Sequence, residues 1–118
     1  HAPTQFAGMQ ALIGPQTPVD EMCKAFDERR KVIVKELNNI PGFSCIEPGG
    51  AFYAFPNITE TGIGSQALQD KLLEEAGVSA ISGTSFGALG EGYIRFSYAN
   101  SLENIILAME RIRECLSS

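Results

Sequence analysis

Residues 90–105 read GEGYIRFSYANSLENI, and the reading of their middle decides the fold. From Tyr93 to Tyr98 the run is YIRFSY, rich in the β-branched and aromatic side chains that suit a pleated, half-buried surface. Successive side chains of a strand point to opposite faces, so Ile94, Phe96 and Tyr98 share one face, and Tyr93, Arg95 and Ser97 the other. The first face is apolar and suits a core covered by helices. The second is more polar and carries a cation. A guanidinium inside an apolar run is costly unless something anionic meets it. Arg95 thus points away from the core, toward a cleft or a partner, or else it is a surface arginine paired with a nearby carboxylate.

Working outward, Asn100 and Glu103 read as a capping-box start to a final helix with the stripe Leu102, Ile105, Ile106, Met109, Ile112 and Leu116. Upstream of the strand lies the Gly-rich SGTSFGALGEG, residues 82–92, and before it VSAI, residues 78–81, a brief strand. SQALQDKLLEEAG, residues 65–77, is a helix capped by Ser65 and ended by Gly77. FSCIE and AFYAF are two strand-like runs around Pro48-Gly49-Gly50, the pattern of a hairpin. A longer helix starts at Thr17-Pro18, with Thr as N-cap and Pro at the first helical position, and carries Val19, Met22, Phe26, Ile33 and Leu37 as its apolar stripe. Asp20 with Lys24, and Asp27 with Lys31, are i,i+4 pairs on its wet side. A first helix, with Phe6, Met9 and Ile13 at helical spacing, stops at Gly14-Pro15. The expected class is α+β, a small, mainly antiparallel sheet covered by helices, in one domain over residues 1–118.

The 118 residues, 44% of them hydrophobic, are enough for a real core. A formal charge of −5 argues against nucleic acid or an anionic membrane as the main partner, since both need a basic surface. No apolar run approaches the about 18 residues of a membrane-crossing helix, and the first residues show no signal pattern. Three widely spaced cysteines and the single His1 offer no metal-ligand spacing. Free thiols fit a reducing, cytoplasmic setting. The chain opens HAPTQF without a Met, as if cut from something longer.

Several motifs need weighing. Gly62-Ile63-Gly64-Ser65-Gln66-Ala67 fits G-x-G-x-x-A ahead of a helix, but no βαβ unit surrounds it. Gly83 to Gly92 lacks Gly-Lys-Ser/Thr and is not a P-loop; as a tight loop before the Arg95 strand it can line a site. Asn57-Ile58-Thr59 is a glycosylation sequon only in a secreted chain. Phe52, Tyr53, Phe55, Tyr93, Phe96 and Tyr98 could form an RNA-stacking platform, yet Glu47-Pro48 stands where that signature needs a basic residue. Arg29-Arg30-Lys31, beside Asp27 and Glu28, reads as a solvated face. There is no Ser/His/Asp or Cys/His set. Lys24, Lys31, Lys35 and Lys71 all fall on helices among charged neighbours. The residues alone offer an anion-reading arginine and no catalytic machinery.

Taken in order, PTQFAGMQALIGPQTPVDEM, FDERRKVIVKELNNIPGFSCIEPGGAFYAFPN, LLEEAGVSAISGTSFG and YIRFSYANSLENIILAMERI resemble the C-terminal part of a fold-type I pyridoxal-phosphate aminotransferase, in the aspartate-aminotransferase-like subgroup. The matching pieces cover nearly the whole chain in order and spacing. The resemblance implies that Arg95 binds the α-carboxylate of an amino-acid substrate. It implies that Phe52 lines the substrate pocket, a core role being the alternative, and that Ser85-Phe86-Gly87 lies near the mouth of the site. One departure is Leu89 to Gly92, longer and richer in Gly than the family pattern.

The resemblance further implies that the lysine carrying pyridoxal phosphate and the other cofactor-binding groups lie upstream, in a large domain. The segment is then the small domain alone, with no catalytic, cofactor-binding or metal-binding residue of its own, and is expected to be inactive by itself. The full-length chain is expected to be a cytoplasmic homodimer moving an amino group between an amino acid and a 2-oxo acid, its small domain packed on its own large domain. The alternatives are another reaction of the same fold type, a lyase or synthase, or a stand-alone binding module without the cofactor domain.

Overall fold

The computed structural model describes residues 1–117. Its elements are α1 (Ala2–Ile13), α2 (Thr17–Asn38), β1 (Tyr53–Ala54), α3 (Ser65–Ala76), β2 (Ile81–Ser82), β3 (Ile94–Ser97) and α4 (Leu102–Ser117), with 3-10 turns at Thr59–Thr61, Gly83–Phe86 and Ala88–Gly90. The three strands form one antiparallel sheet in the order β1-β3-β2. The class is α+β, as the sequence pattern predicts.

The alternation read from YIRFSY is the alternation observed. Ile94, Phe96 and Tyr98 are buried, Tyr93 and Arg95 half-buried, and Ser97 exposed. The buried face meets Ile33 and Leu37 of α2, Leu68 and Leu72 of α3, and Ile105, Met109 and Ile112 of α4 in a single core. Each of those helical sets repeats at three or four residues, the spacing that puts side chains on one helix face. Close-packed aliphatic side chains on three helices make the inner side of the sheet immovable. The outer side carries Arg95.

Three local expectations need correction. FSCIE and AFYAF do not form a hairpin ladder. Ser44 of the first run bridges instead to Asn57, two residues beyond the second, and the Asn38 side chain takes both the N–H and the carbonyl of Cys45. With both backbone groups satisfied at that residue, the second run has no donor or acceptor left there to extend a ladder. AFYAF instead pairs with β3, Tyr53 opposite Ser97 and Ala54 opposite Phe96. VSAI keeps only its last residue as strand, which runs Ile81–Ser82. The caps also move by one residue. Gln16 rather than Thr17 precedes α2, Gly64 rather than Ser65 precedes α3, and Ser101 rather than Asn100 supplies the side-chain oxygen, to the Asn104 N–H.

The N-terminal arm stands apart. α1 buries no residue, and Phe6, Met9, Leu12 and Ile13 are all more than half exposed. The first half of α2 continues the arm with Val19 and Met22 in the open, so the core-facing part of its stripe begins at Phe26. Of the two expected ion pairs on α2, only Asp27–Lys31 closes among the described residues, at 2.6 Å. The arm stretches the molecule to 54 × 29 × 24 Å with a radius of gyration of 17.3 Å, against about 13–14 Å for a compact chain of this length. No helix among the described residues is long and apolar enough to cross a membrane.

Candidate functional site

Arg95 stands on β3, the middle strand, opposite Ile81 of β2 on one side. Its guanidinium carbon lies 4.2 Å from the centre of the Tyr53 ring and 4.4 Å from that of Phe86. A cation over aromatic faces is attracted by the rings' quadrupoles. Such contacts engage the flat faces of a guanidinium and leave its in-plane N–H donors open. Among the described residues, no carboxylate comes within ion-pair distance of Arg95 and no hydrogen bond engages its side chain. The paired-surface-arginine alternative therefore does not hold here: the cation is flanked by rings and its hydrogen-bonding edge is unused.

The rings continue on both sides. Phe52 lies 4.4 Å from Tyr53 and 6.2 Å from Phe26, while Phe86 meets Phe55 edge-on at 6.2 Å and Phe55 stacks on Tyr93 at 5.3 Å. Tyr53 and Phe55 flank the buried Ala54, so strand alternation puts them on the outward face with Arg95. Phe52 reaches Arg95 only through Tyr53. It is 39% exposed and lines a groove with Cys23, Asp27, Arg30 and Gly50. The core alternative for Phe52 is thus set aside, and the ring adjoins the Arg95 face rather than touching the guanidinium.

The loop that presents Phe52 is held at several points. Arg30 donates to the Glu47 carboxylate and the Pro48 carbonyl from one nitrogen, and to Asp27 from the other. Arg30 is therefore a clasp between α2 and this loop, where the sequence suggested only a wet helix face. Lys31 and then Arg30 hold the Asp27 carboxyl below its ordinary value by hydrogen bonding. At the far end of the loop the Tyr98 hydroxyl donates to the Ala51 carbonyl at 3.0 Å and the Tyr98 N–H to the Phe52 carbonyl at 2.9 Å. Ala51 itself has φ +61°, a left-handed conformation that costs an alanine about 1–2 kcal/mol. The bonds from Tyr98 keep it there.

On the other side, Ser82 starts the turn that carries Phe86, its hydroxyl 2.7 Å from that of Thr84. Gly83 and Gly90 cross so closely that a Cβ on Gly83 would lie 2.0 Å from the Gly90 carbonyl oxygen. Only glycine fits there. The G-x-G-x-x-A motif has a local explanation too. The Glu91 carboxylate accepts the Ser65 N–H at 3.0 Å, so the start of α3 is already met by a carboxylate from its own chain.

Sequence reasoning singled out Arg95, Phe52 and the Ser85-Phe86-Gly87 loop, and the structure brings the first and the last into contact. It missed Tyr53, the ring nearest the guanidinium. The signal was present, since Tyr53 and Phe55 alternate with Ala54 in the same way that Tyr93 and Arg95 alternate with Ile94.

The residues do not fit pyridoxal phosphate as a resident group. Lys24 and Lys35 are exposed on α2, Lys31 is paired with Asp27 on the same helix, and Lys71 is bound to Glu75 on α3. Among the described residues, no lysine lies over the rings around Arg95. No step through that group is assigned to these residues.

Residues 1–112 match the family model for aminotransferase class I and II. The chain belongs to that family. It is 51% identical over 114 residues to an aspartate aminotransferase of Pyrococcus horikoshii, covering 95% of this chain and 29% of that protein. Among solved structures it matches the alanine aminotransferase of Pyrococcus furiosus with a TM-score of 0.93 at 37% identity, over 98% of this chain and 30% of that one. The aspartate aminotransferase of Thermus thermophilus with maleate matches with a TM-score of 0.84 at 31% identity, over 94% of this chain and 29% of that one. The chain thus spans about 30% of the length of the aminotransferases it matches.

Proposed function

We propose that this segment is the small domain of a pyridoxal-phosphate-dependent aminotransferase, and that Arg95 holds the α-carboxylate of the amino-acid or 2-oxo-acid substrate. The observation that carries the reading is a half-buried guanidinium flanked by Tyr53 and Phe86 with no carboxylate of the described chain paired to it. A carboxylate meets a guanidinium through two parallel, charge-assisted hydrogen bonds. Fixing the carboxylate at both oxygens leaves the substrate Cα little rotational freedom, and orientation of that kind lowers the barrier without Arg95 doing chemistry itself. The half-burial of Arg95 lowers the screening around it, which strengthens the pair. The cofactor would supply the electron sink, from residues outside this segment. The relatives' names support amino transfer over lyase or synthase chemistry, and maleate with one of them is a dicarboxylate of the class such an arginine recognises.

The apolar arm supports the rest of the reading. Phe6, Met9, Leu12 and Ile13 have no cover within the described chain, and exposed apolar surface of this extent marks an interface. We assign it to the large domain of the same polypeptide. A cytoplasmic homodimer acting in amino-acid metabolism completes the proposal, and the segment alone is expected neither to hold the cofactor nor to transaminate. The test is steady-state kinetics of the full-length protein with Arg95→Ala. Truncating one partner of a desolvated charge pair costs about 2–5 kcal/mol, or roughly 30- to several-thousand-fold in kcat/KM. A surface ion pair is worth only about 0–1 kcal/mol, so retention of more than about a third of the wild-type kcat/KM removes the assignment.

A further inference from the structure

We infer that Phe86 is a positioning residue for the carboxylate-binding guanidinium: it flanks Arg95 from the loop as Tyr53 does from the sheet. The inference rests on the reading of Arg95 above and adds a residue to it.

Burial does not account for the position of Phe86. Its ring is 53% exposed, lies 4.4 Å from the Arg95 guanidinium carbon, and meets the Phe55 ring nearly at right angles with centres 6.2 Å apart. A large apolar ring half in water on a short turn gains little from the core. It gains from lying over a cation.

The backbone around it is built to keep the ring in place. The Gly83 N–H donates to the Tyr93 carbonyl at 2.9 Å, just ahead of the strand that carries Arg95. The Gly83–Gly90 crossing closes the base of the loop, and Gly87, at φ +128°, turns the chain away immediately after the ring. The loop is therefore registered on the strand that carries the arginine. An arginine side chain has several rotatable bonds and loses rotamer freedom when fixed. Rings that flank the guanidinium before substrate arrives remove part of that loss from the binding step. Phe86 should then act on affinity for the carboxylate and leave turnover of bound substrate alone.

The test uses the full-length enzyme with whichever of L-aspartate and L-alanine the wild type turns over faster, and the variants Phe86→Ala, Phe86→Leu, Phe86→Tyr and Arg95→Ala. Loss of the ring in Phe86→Ala and Phe86→Leu should raise KM by about 3- to 30-fold, the range of a cation–π contact, with kcat within about 2-fold of wild type. Phe86→Tyr, which keeps the ring, should restore KM. A wild-type KM in Phe86→Leu means that the residue only fills space, and a loss confined to kcat means that it acts elsewhere; either result overturns the inference. Arg95→Ala separates the two levels. If it behaves as wild type, the carboxylate reading falls and this inference with it. If it loses activity while the Phe86 variants do not, only the positioning role is wrong.

Discussion

The Ser65 hydroxyl, fully buried in the first turn of α3, accepts the backbone N–H of Gly92 at 2.8 Å. The same oxygen takes the Tyr93 N–H at 3.2 Å, and the Glu91 carboxylate returns the contact on the Ser65 N–H. Two chain segments 27 residues apart are thereby tied at the point where the Gly-rich loop becomes β3. Ser65→Ala strands the Gly92 N–H, which costs about 1–3 kcal/mol, while the Tyr93 N–H keeps the Gly90 carbonyl at 3.2 Å. Amide hydrogen exchange at Gly92 should accelerate, with a lower urea midpoint. Unchanged protection at Gly92 would show that water or a rearranged Glu91 replaces the hydroxyl.

Two glycine substitutions should differ sharply. Gly83→Ala puts a methyl group 2.0 Å from a backbone oxygen that cannot swing away, and the loop must open. Overpacking of this kind costs about 1–3 kcal/mol or more. Gly50→Ala meets nothing within 4 Å and needs no positive φ, so it should be close to neutral. Thermal denaturation of the two variants side by side decides the matter, and equal melting temperatures contradict the crossing.

Acid should loosen the clasp at Arg30. The Asp27 carboxyl titrates below its ordinary 3.8 in the folded chain, chiefly through hydrogen bonds from Lys31 and Arg30. A depressed folded value means that the group's stabilisation is fully present above pH 3.8 and is lost as pH falls through the lower folded midpoint. NMR titration of the Asp27 side-chain carbon should give that lower midpoint, and Lys31→Ala should move it back up. A midpoint at or above 3.8 in the wild type rejects the assignment.

Arg95→Lys should recover part of what Arg95→Ala loses and no more. An ammonium keeps the charge but has no planar fork for a carboxylate and no flat face for two rings. The KM of Arg95→Lys for the amino-acid substrate should fall between those of wild type and Arg95→Ala. Full recovery would mean that charge alone binds the substrate.

The parts of this molecule legible in the sequence are those fixed by periodicity. Ile94, Phe96 and Tyr98 announced an inner face, and α2 and α4 announced their stripes at helical spacing. The hairpin is not legible because the Asn38 side chain, at the end of α2, reaches across the following turn and satisfies the Cys45 backbone. At α4 the adjacent Asn100 and Ser101 both accept backbone N–H groups, from Ser101 and Asn104, so the cap falls one residue later; at α2 and α3 the preceding Gln16 and Gly64 make no side-chain cap bond at all. At the site, Arg95 stood out as a charge in an apolar run. Its contact with Phe86 did not, because a residue on a glycine-rich turn follows no period, and only the crossing of Gly83 and Gly90 fixes where its ring ends.

Arg95 occupies the central strand of the sheet, with β1 on one side and β2 on the other. Its Cα is anchored by neighbours on both flanks and by three helices beneath, so it does not depend on any loop for its place. The turn that carries Phe86 lies against its guanidinium. A change in that turn releases or reorients the guanidinium while the Cα keeps its place, so the strand sets where the charge stands and the turn sets which way its donors face.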